Sequence, residues 1–265
     1  MQERFVSREE GQKLFSTAEG PEGGHALVFA NSLGTDLTSW DTLLPLLPEG
    51  LRLIRWDKRG HGRSSVPEAP YHMGTLVSDA EAVCEAWGLS GVTFVGLSIG
   101  GLIAQGLAVK RPDLIGSLVL SSTAAKIGTP QLWADRIAAL RRGGMEAIAD
   151  GVMERWFSAA FREGPELAAW RARLAATPLE GYIGCCAAIS GTDFWATTAT
   201  LTLPTLGIAG SEDRSTPPDL VRETVALVAG SRTELIRGAG HLPQIEAPRD
   251  YAALLTAFLK ETGHV

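Results

Sequence analysis

Gly96-Leu97-Ser98-Ile99-Gly100-Gly101 sets one serine among glycines, directly after the apolar run Val92–Val95 and before an apolar stretch of helix length. A serine at a tight strand-to-helix turn stands its hydroxyl at the C-terminal edge of a sheet, and the glycines are needed where neighbouring backbone leaves no room for a Cβ. A serine hydroxyl is a weak nucleophile near neutrality and needs an imidazole base that a carboxylate orients. The chain supplies both in the order such an elbow requires, serine, then acid, then histidine. Thr205–Gly210 runs into Ser211-Glu212-Asp213, and Thr233–Ile236 runs into Arg237-Gly238-Ala239-Gly240-His241. Ser98, Asp213 and His241 are therefore the expected nucleophile, orienting acid and base, with Glu212 as the rival acid. The chemistry is acyl transfer through a covalent intermediate.

Such a reaction needs donors for the tetrahedral oxyanion. The backbone N–H of Ile99, next after the nucleophile, is one; the loop Asn31-Ser32-Leu33-Gly34 offers the N–H of Leu33 as the second. The remaining histidines compete poorly. His61 lies upstream of the serine, His25 precedes a strand, His72 opens a helix and His264 is terminal, so all four read as structural or solvent-exposed. Cys84 and the adjacent Cys185 and Cys186 give neither a disulfide framework nor a metal-ligand spacing. No metal and no cofactor is expected.

The elements that must position these residues follow from periodicity. Apolar runs of strand length, Ala26–Ala30, Leu51–Trp56, Val92–Gly96, Leu118–Ser122, Thr205–Gly210 and Thr233–Ile236, alternate with helical patterns, which argues for a mostly parallel sheet in an α/β fold. Phe5–Ala18 reads as a strand pair turning near Glu10-Gly11. The middle third holds no strand-like run. Met145, Ile148, Val152, Trp156 and Phe161 fall on one stripe, predicting a single amphipathic helix of four turns; one helix should precede it and two should follow. The predicted organisation is an α/β core over 1–123 and 199–265, with an all-helical lid over 124–198. The 30 glycines among 265 residues exceed the usual share of roughly 7%, which suggests many tight turns.

Composition closes other routes. A formal charge of −6 without a Lys/Arg block is a poor match for nucleic acid or an anionic membrane surface. The polar start MQERFVSREEGQKL does not read as a secretory signal, and free thiols fit a cytoplasmic protein. Val92–Val109 carries no charge, but its glycines and Ser98 make it a strand, turn and helix rather than a membrane span.

Asn31-Ser32-Leu33-Gly34-Thr35-Asp36, Trp56-Asp57-Lys58-Arg59-Gly60-His61-Gly62, the Ser98 elbow and Gly240-His241 together resemble the α/β-hydrolase superfamily. Within it the chain looks like the 3-oxoadipate enol-lactonases: Thr123–Gly128, Arg155-Trp156-Phe157 with Phe161-Arg162, and Gly181–Ala188 are similar to lid segments of that family. The segment Ser190–Trp195 departs from it, being free of arginine. The resemblance implies a cofactor-free serine hydrolase that opens a small carboxylated enol-lactone, in catabolism of aromatic compounds. It also implies a cation in the lid for the carboxylate; Trp133 and Arg136, one turn apart, are the candidates, with Ser32 as a further polar contact. Esterases, perhydrolase-like haloperoxidases and slow-turnover small-molecule sensors on the same fold are the alternatives. A serine at the elbow argues against dehalogenases, which place an aspartate there.

Overall fold

The computed structural model describes all 265 residues. Eight strands form one sheet in the order β1-β2-β4-β3-β5-β6-β7-β8. β1 (Gln2–Ser7) and β2 (Lys13–Glu19) are the predicted antiparallel pair, and β2 joins β4 (Arg52–Trp56) antiparallel. The other neighbours are parallel: β3 (Ala26–Ala30), β5 (Val92–Leu97), β6 (Ile115–Ser121), β7 (Thr205–Gly210) and β8 (Arg232–Ile236). β3, β5 and β7 are buried from end to end, as strands of a parallel sheet covered on both faces must be.

The register sets where the loops emerge. Ala30 pairs with Gly96, Leu97 with Ser121 and Gly210 with Ile236. The loops that begin after these residues therefore leave one edge of the sheet together. The chain passes from β3 to β4 on one side and returns to β5 on the other. Loops diverging from such a reversal open a crevice at the C-terminal edge.

Helices α1 (Met73–Ala86) and α2 (Ile99–Lys110) pack on each other, and α2 lies on β5. Between β6 and β7 the chain is all helix: α3 (Pro130–Gly143), α4 (Glu146–Trp156), α5 (Ala159–Arg162), α6 (Glu166–Ala175), α7 (Leu179–Ser190) and α8 (Trp195–Thr198). α9 (Pro218–Val225), α10 (Pro243–Glu246) and α11 (Pro248–Glu261) complete the fold. Trp133, Leu140, Val152, Trp156 and Tyr182 of the helical segment belong to the same hydrophobic cluster of 71 buried residues as the sheet. No helix is long and apolar enough to cross a membrane.

One expected element is split. The stripe from Met145 to Phe161 predicts one helix, but the backbone opens at Phe157 (φ −117, ψ 143) and restarts as α5. Two contacts outweigh helical continuity there. The Ser158 hydroxyl caps α5 by accepting from the Phe161 N–H, and the Trp156 carbonyl accepts the N–H of His241 at 2.7 Å. The apolar face survives the break, since the Phe157 and Phe161 rings stack 4.3 Å apart.

Candidate active site

Ser98 takes φ +57 and ψ −118 between β5 and α2, a backbone conformation rare for any residue with a Cβ. Three features hold it. Its N–H donates to the Ser121 carbonyl at 3.0 Å, and its carbonyl accepts from the Gly101 N–H at 2.8 Å and the Thr123 hydroxyl at 2.6 Å. The adjoining glycines are obligatory: a Cβ on Gly100 would lie 2.2 Å from the Ala30 carbonyl oxygen, and one on Gly96 would lie 2.4 Å from that of Gly100. The strained turn is thus over-determined by its surroundings.

Asp213 leaves β7 and His241 leaves β8, and the two side chains meet. His241 Nδ1 and Asp213 Oδ2 are 2.9 Å apart, and both residues are buried. The Nδ1–H tautomer satisfies this pair and turns Nε2 outward as the acceptor. Asp213 is fully engaged: Oδ1 accepts from the N–H groups of Ser215 (2.7 Å) and Thr216 (3.0 Å), and Oδ2 accepts from the Thr216 hydroxyl at 2.9 Å. Glu212 is turned elsewhere, with its carboxylate accepting the Ala159 N–H at 3.2 Å. The histidine loop is tied to the helical segment through Glu246, which accepts from Gly240 N–H at 2.8 Å and Ser158 N–H at 3.1 Å. Burial raises the Glu246 pKa above the usual carboxylate value.

His241 Nε2 and Ser98 both line a cavity of about 110 Å³, together with Ser32 and Leu33. The Ser32 hydroxyl is 3.5 Å from His241 Nε2; the Ser98 hydroxyl faces the same space without a hydrogen bond to the ring. Such contacts often tighten only when substrate is bound. The N–H groups of Leu33 and Ile99 donate to nothing within the chain. Two buried backbone donors left free beside a serine are an exception to the usual pairing of buried amides.

The opposite wall comes from the helical segment. Trp133 and Arg136 of α3 line the cavity, the guanidinium lying 4.9 Å from the Trp133 ring centre. The indole N–H is fixed by the Ile127 carbonyl at 2.7 Å. Two further cations converge there that sequence reasoning missed: Arg155 at the end of α4 and Arg214 after Asp213. None of the three arginines forms an ion pair, and no acidic residue is among the sixteen that line the cavity. Burial, and next the charge of Arg136, pull the Arg155 pKa below its ordinary value. Arg155 lies outside the apolar stripe of α4, and the sequence marked it only as part of a segment similar to the enol-lactonase lid, not as a cation of the site. Arg214 and Thr216 had a weak signal in their closeness to Asp213.

The four other histidines stay outside the cavity. His61 is buried and structural, accepting the Gly34 N–H on Nε2 at 3.0 Å. His25 stacks on His264 with ring centres 3.5 Å apart, and His72 precedes α1 as its cap residue. No group of three or more His, Cys, Asp or Glu side chains is placed to hold a metal ion.

A sequence profile for the alpha/beta hydrolase fold matches residues 25–248, most of the chain. The chain belongs to the α/β-hydrolase fold family. This hydrolase is 33% identical to 3-oxoadipate enol-lactonase 2 of Acinetobacter baylyi over 93% of its own length and 91% of that protein's. Among solved structures it is similar to a hydrolase from Pseudomonas aeruginosa PA01, with a TM-score of 0.93, 36% identity and coverage of 97% of this chain and 98% of that one. It is also similar to the enol-lactonase from Burkholderia xenovorans LB400, with a TM-score of 0.90, 34% identity and coverage of 95% and 98%.

Proposed function

We propose that the protein hydrolyses a small carboxylated enol-lactone, 3-oxoadipate enol-lactone, to 3-oxoadipate without a cofactor, in catabolism of aromatic compounds. One observation carries this reading: the cavity lined by Ser98 and His241 also holds three arginines without acidic partners. Unpaired cations at a small cavity call for an anionic ligand. The similarity to enol-lactonases supports the same choice.

Ser98 Oγ attacks the ring carbonyl as His241 Nε2 takes the hydroxyl proton, and Asp213 holds the imidazolium in place. The oxyanion is received by the N–H groups of Leu33 and Ile99. Collapse breaks the acyl–oxygen bond of the ring. The freed oxygen leaves as an enol on the same molecule and takes the proton from His241, so nothing departs and the whole opened lactone stays esterified to Ser98. The enol becomes the ketone. Water then gives a proton to His241 and its hydroxide to the acyl carbon; Ser98 recovers the proton as the ester breaks. The product carries a new carboxylate beside the retained one, and Arg136, assisted by Arg155 and Arg214, binds the retained one. Trp133 and Ser32 shape the walls, and residues 124–198 act as the lid over the core.

A turnover comparison tests this. The enol-lactone should exceed p-nitrophenyl acetate in kcat/KM by roughly 10² or more, since a site that pairs a buried charge rejects analogues lacking it. Equal or better turnover of p-nitrophenyl acetate, with no lactone opening, would contradict it.

A further inference from the structure

The loop after β4 buries a lysine for which acyl transfer has no direct use. Lys58 is only 2% exposed and lies outside the cavity lining. Its ammonium forms no ion pair; Nζ donates to the carbonyls of Ser32 at 2.7 Å and Thr35 at 3.1 Å. Burying a cation without a bonded carboxylate is unfavourable, so the two carbonyls it holds are the place to look for its use.

Ser32 C=O and Leu33 N–H belong to one peptide unit. The only cis bond in the chain is Ala69-Pro70, so this unit is trans, and its carbonyl and N–H point in opposite directions. Whatever fixes the carbonyl behind the loop therefore aims the N–H toward the cavity, where it is left without a partner. The Thr35 hydroxyl also donates to the Ser32 carbonyl, at 2.9 Å. The next peptide is fixed from the same side: Gly34, at φ +77, donates its N–H to His61 Nε2. His61 can accept only while neutral, and burial, followed by the Lys58 charge, holds its pKa well below the ordinary histidine value.

We propose that Lys58 is a positioning residue for the oxyanion hole, its ammonium orienting and polarising the Ser32–Leu33 peptide so that the Leu33 N–H is a preorganised donor. The proposal rests on reading Ser98 as the nucleophile and Leu33 as an oxyanion donor. A hydrogen bond from a full positive charge to a carbonyl withdraws electron density from the amide and strengthens its N–H as a donor in a low-dielectric site. The charged or titratable groups facing Lys58 are Asp36 in the Ser32 loop, Asp57 and His61 in its own loop, and Cys185 on α7. None of the acids bonds to it, so the Ser32 carbonyl has its shortest hydrogen bond.

The test uses Lys58→Met, with p-nitrophenyl acetate as substrate, phenylboronic acid as a tetrahedral anion and adipate as a competitor that forms no tetrahedral adduct. If the variant loses an oriented donor, kcat should fall roughly 10- to 100-fold while KM stays within about threefold, since loss of one oxyanion donor outright costs on the order of 10²–10³. Phenylboronic acid should weaken by the same factor as kcat, and adipate inhibition should not change. A merely structural role would not separate these two inhibitors. Lys58→Gln, which keeps a neutral donor, should fall between wild type and Lys58→Met, and serves alone if the methionine variant does not fold. Wild-type kcat and boronate affinity in a folded variant would overturn the proposal. Ser98→Ala separates the two readings: if it still turns over p-nitrophenyl acetate the nucleophile assignment fails, whereas a dead Ser98→Ala beside a fully active Lys58→Met overturns the Lys58 role alone.

Discussion

The sheet edge and the helical wall of the cavity treat polar groups in opposite ways. At the edge, the groups that hold the candidate triad in place are paired by the chain: Asp213 accepts from two backbone N–H groups, one hydroxyl and His241, and Ser98 is fixed on both sides of its own peptide, while the Leu33 and Ile99 N–H groups are left free. In the wall, Arg136 and Arg155 face the cavity without acids, joined by Arg214 from the loop after β7. Groups that must hold one geometry are satisfied internally, while groups that must meet a ligand are left short of partners. The same chain thus separates chemistry, on a crowded sheet edge, from recognition, on packed helices.

If that division holds, edge variants act on kcat and wall variants on KM. The largest effect should come from Asp213→Asn, which keeps the shape but favours the wrong imidazole tautomer; kcat should fall about 10⁴-fold with KM nearly unchanged. A variant that changed only KM would break the division. Arg136→Met combined with Arg155→Met should raise KM for a carboxylated lactone by roughly 10- to 100-fold, the loss expected for charge-assisted hydrogen bonds of about 1.5–3 kcal/mol. The same pair should leave p-nitrophenyl acetate kinetics within a few-fold, and steady-state kinetics on both substrates checks this.

How much of this was legible in the sequence differs between the two regions as well. The Ser98 elbow could be read because its requirement is local: glycines within four residues of the serine, after a strand that periodicity already marks. Asp213 and His241 were readable from chain order at strand ends. The wall was not, because its residues come together only through the packing of α3, α4 and the β7 loop. Arg136 was reached through a family resemblance, and Arg155 entered only as part of a lid-like segment without a role. The split at Phe157 was hidden for a related reason. Its apolar stripe is continuous, and the contact that breaks the helix, Trp156 carbonyl to His241 N–H, joins residues 85 apart in the chain. Lys58 and His61 stood in plain view, but burial and bonding to the Ser32 loop are tertiary facts.

Two smaller effects sharpen the edge side. Thr216→Val removes the hydroxyl that donates to Asp213 Oδ2; a hydrogen bond of about 1 kcal/mol corresponds to roughly fivefold, which should appear in kcat and not in KM. The pH profile carries the smallest. Burial lowers the Lys58 pKa to about 8, so the ammonium is present below that value and is lost as pH rises through it. Turnover of p-nitrophenyl acetate should decline modestly over that range, and Lys58→Met should lack the decline. An identical alkaline limb in wild type and variant would detach Lys58 from the chemistry.

The central claim, that lactone opening passes through Ser98, is tested most directly by titration with a fluorophosphonate while enol-lactone hydrolysis is followed. Activity should fall linearly to background at one equivalent, with the phosphonyl group on the peptide that contains Ser98. Full labelling of Ser98 with lactone hydrolysis undiminished would contradict the account.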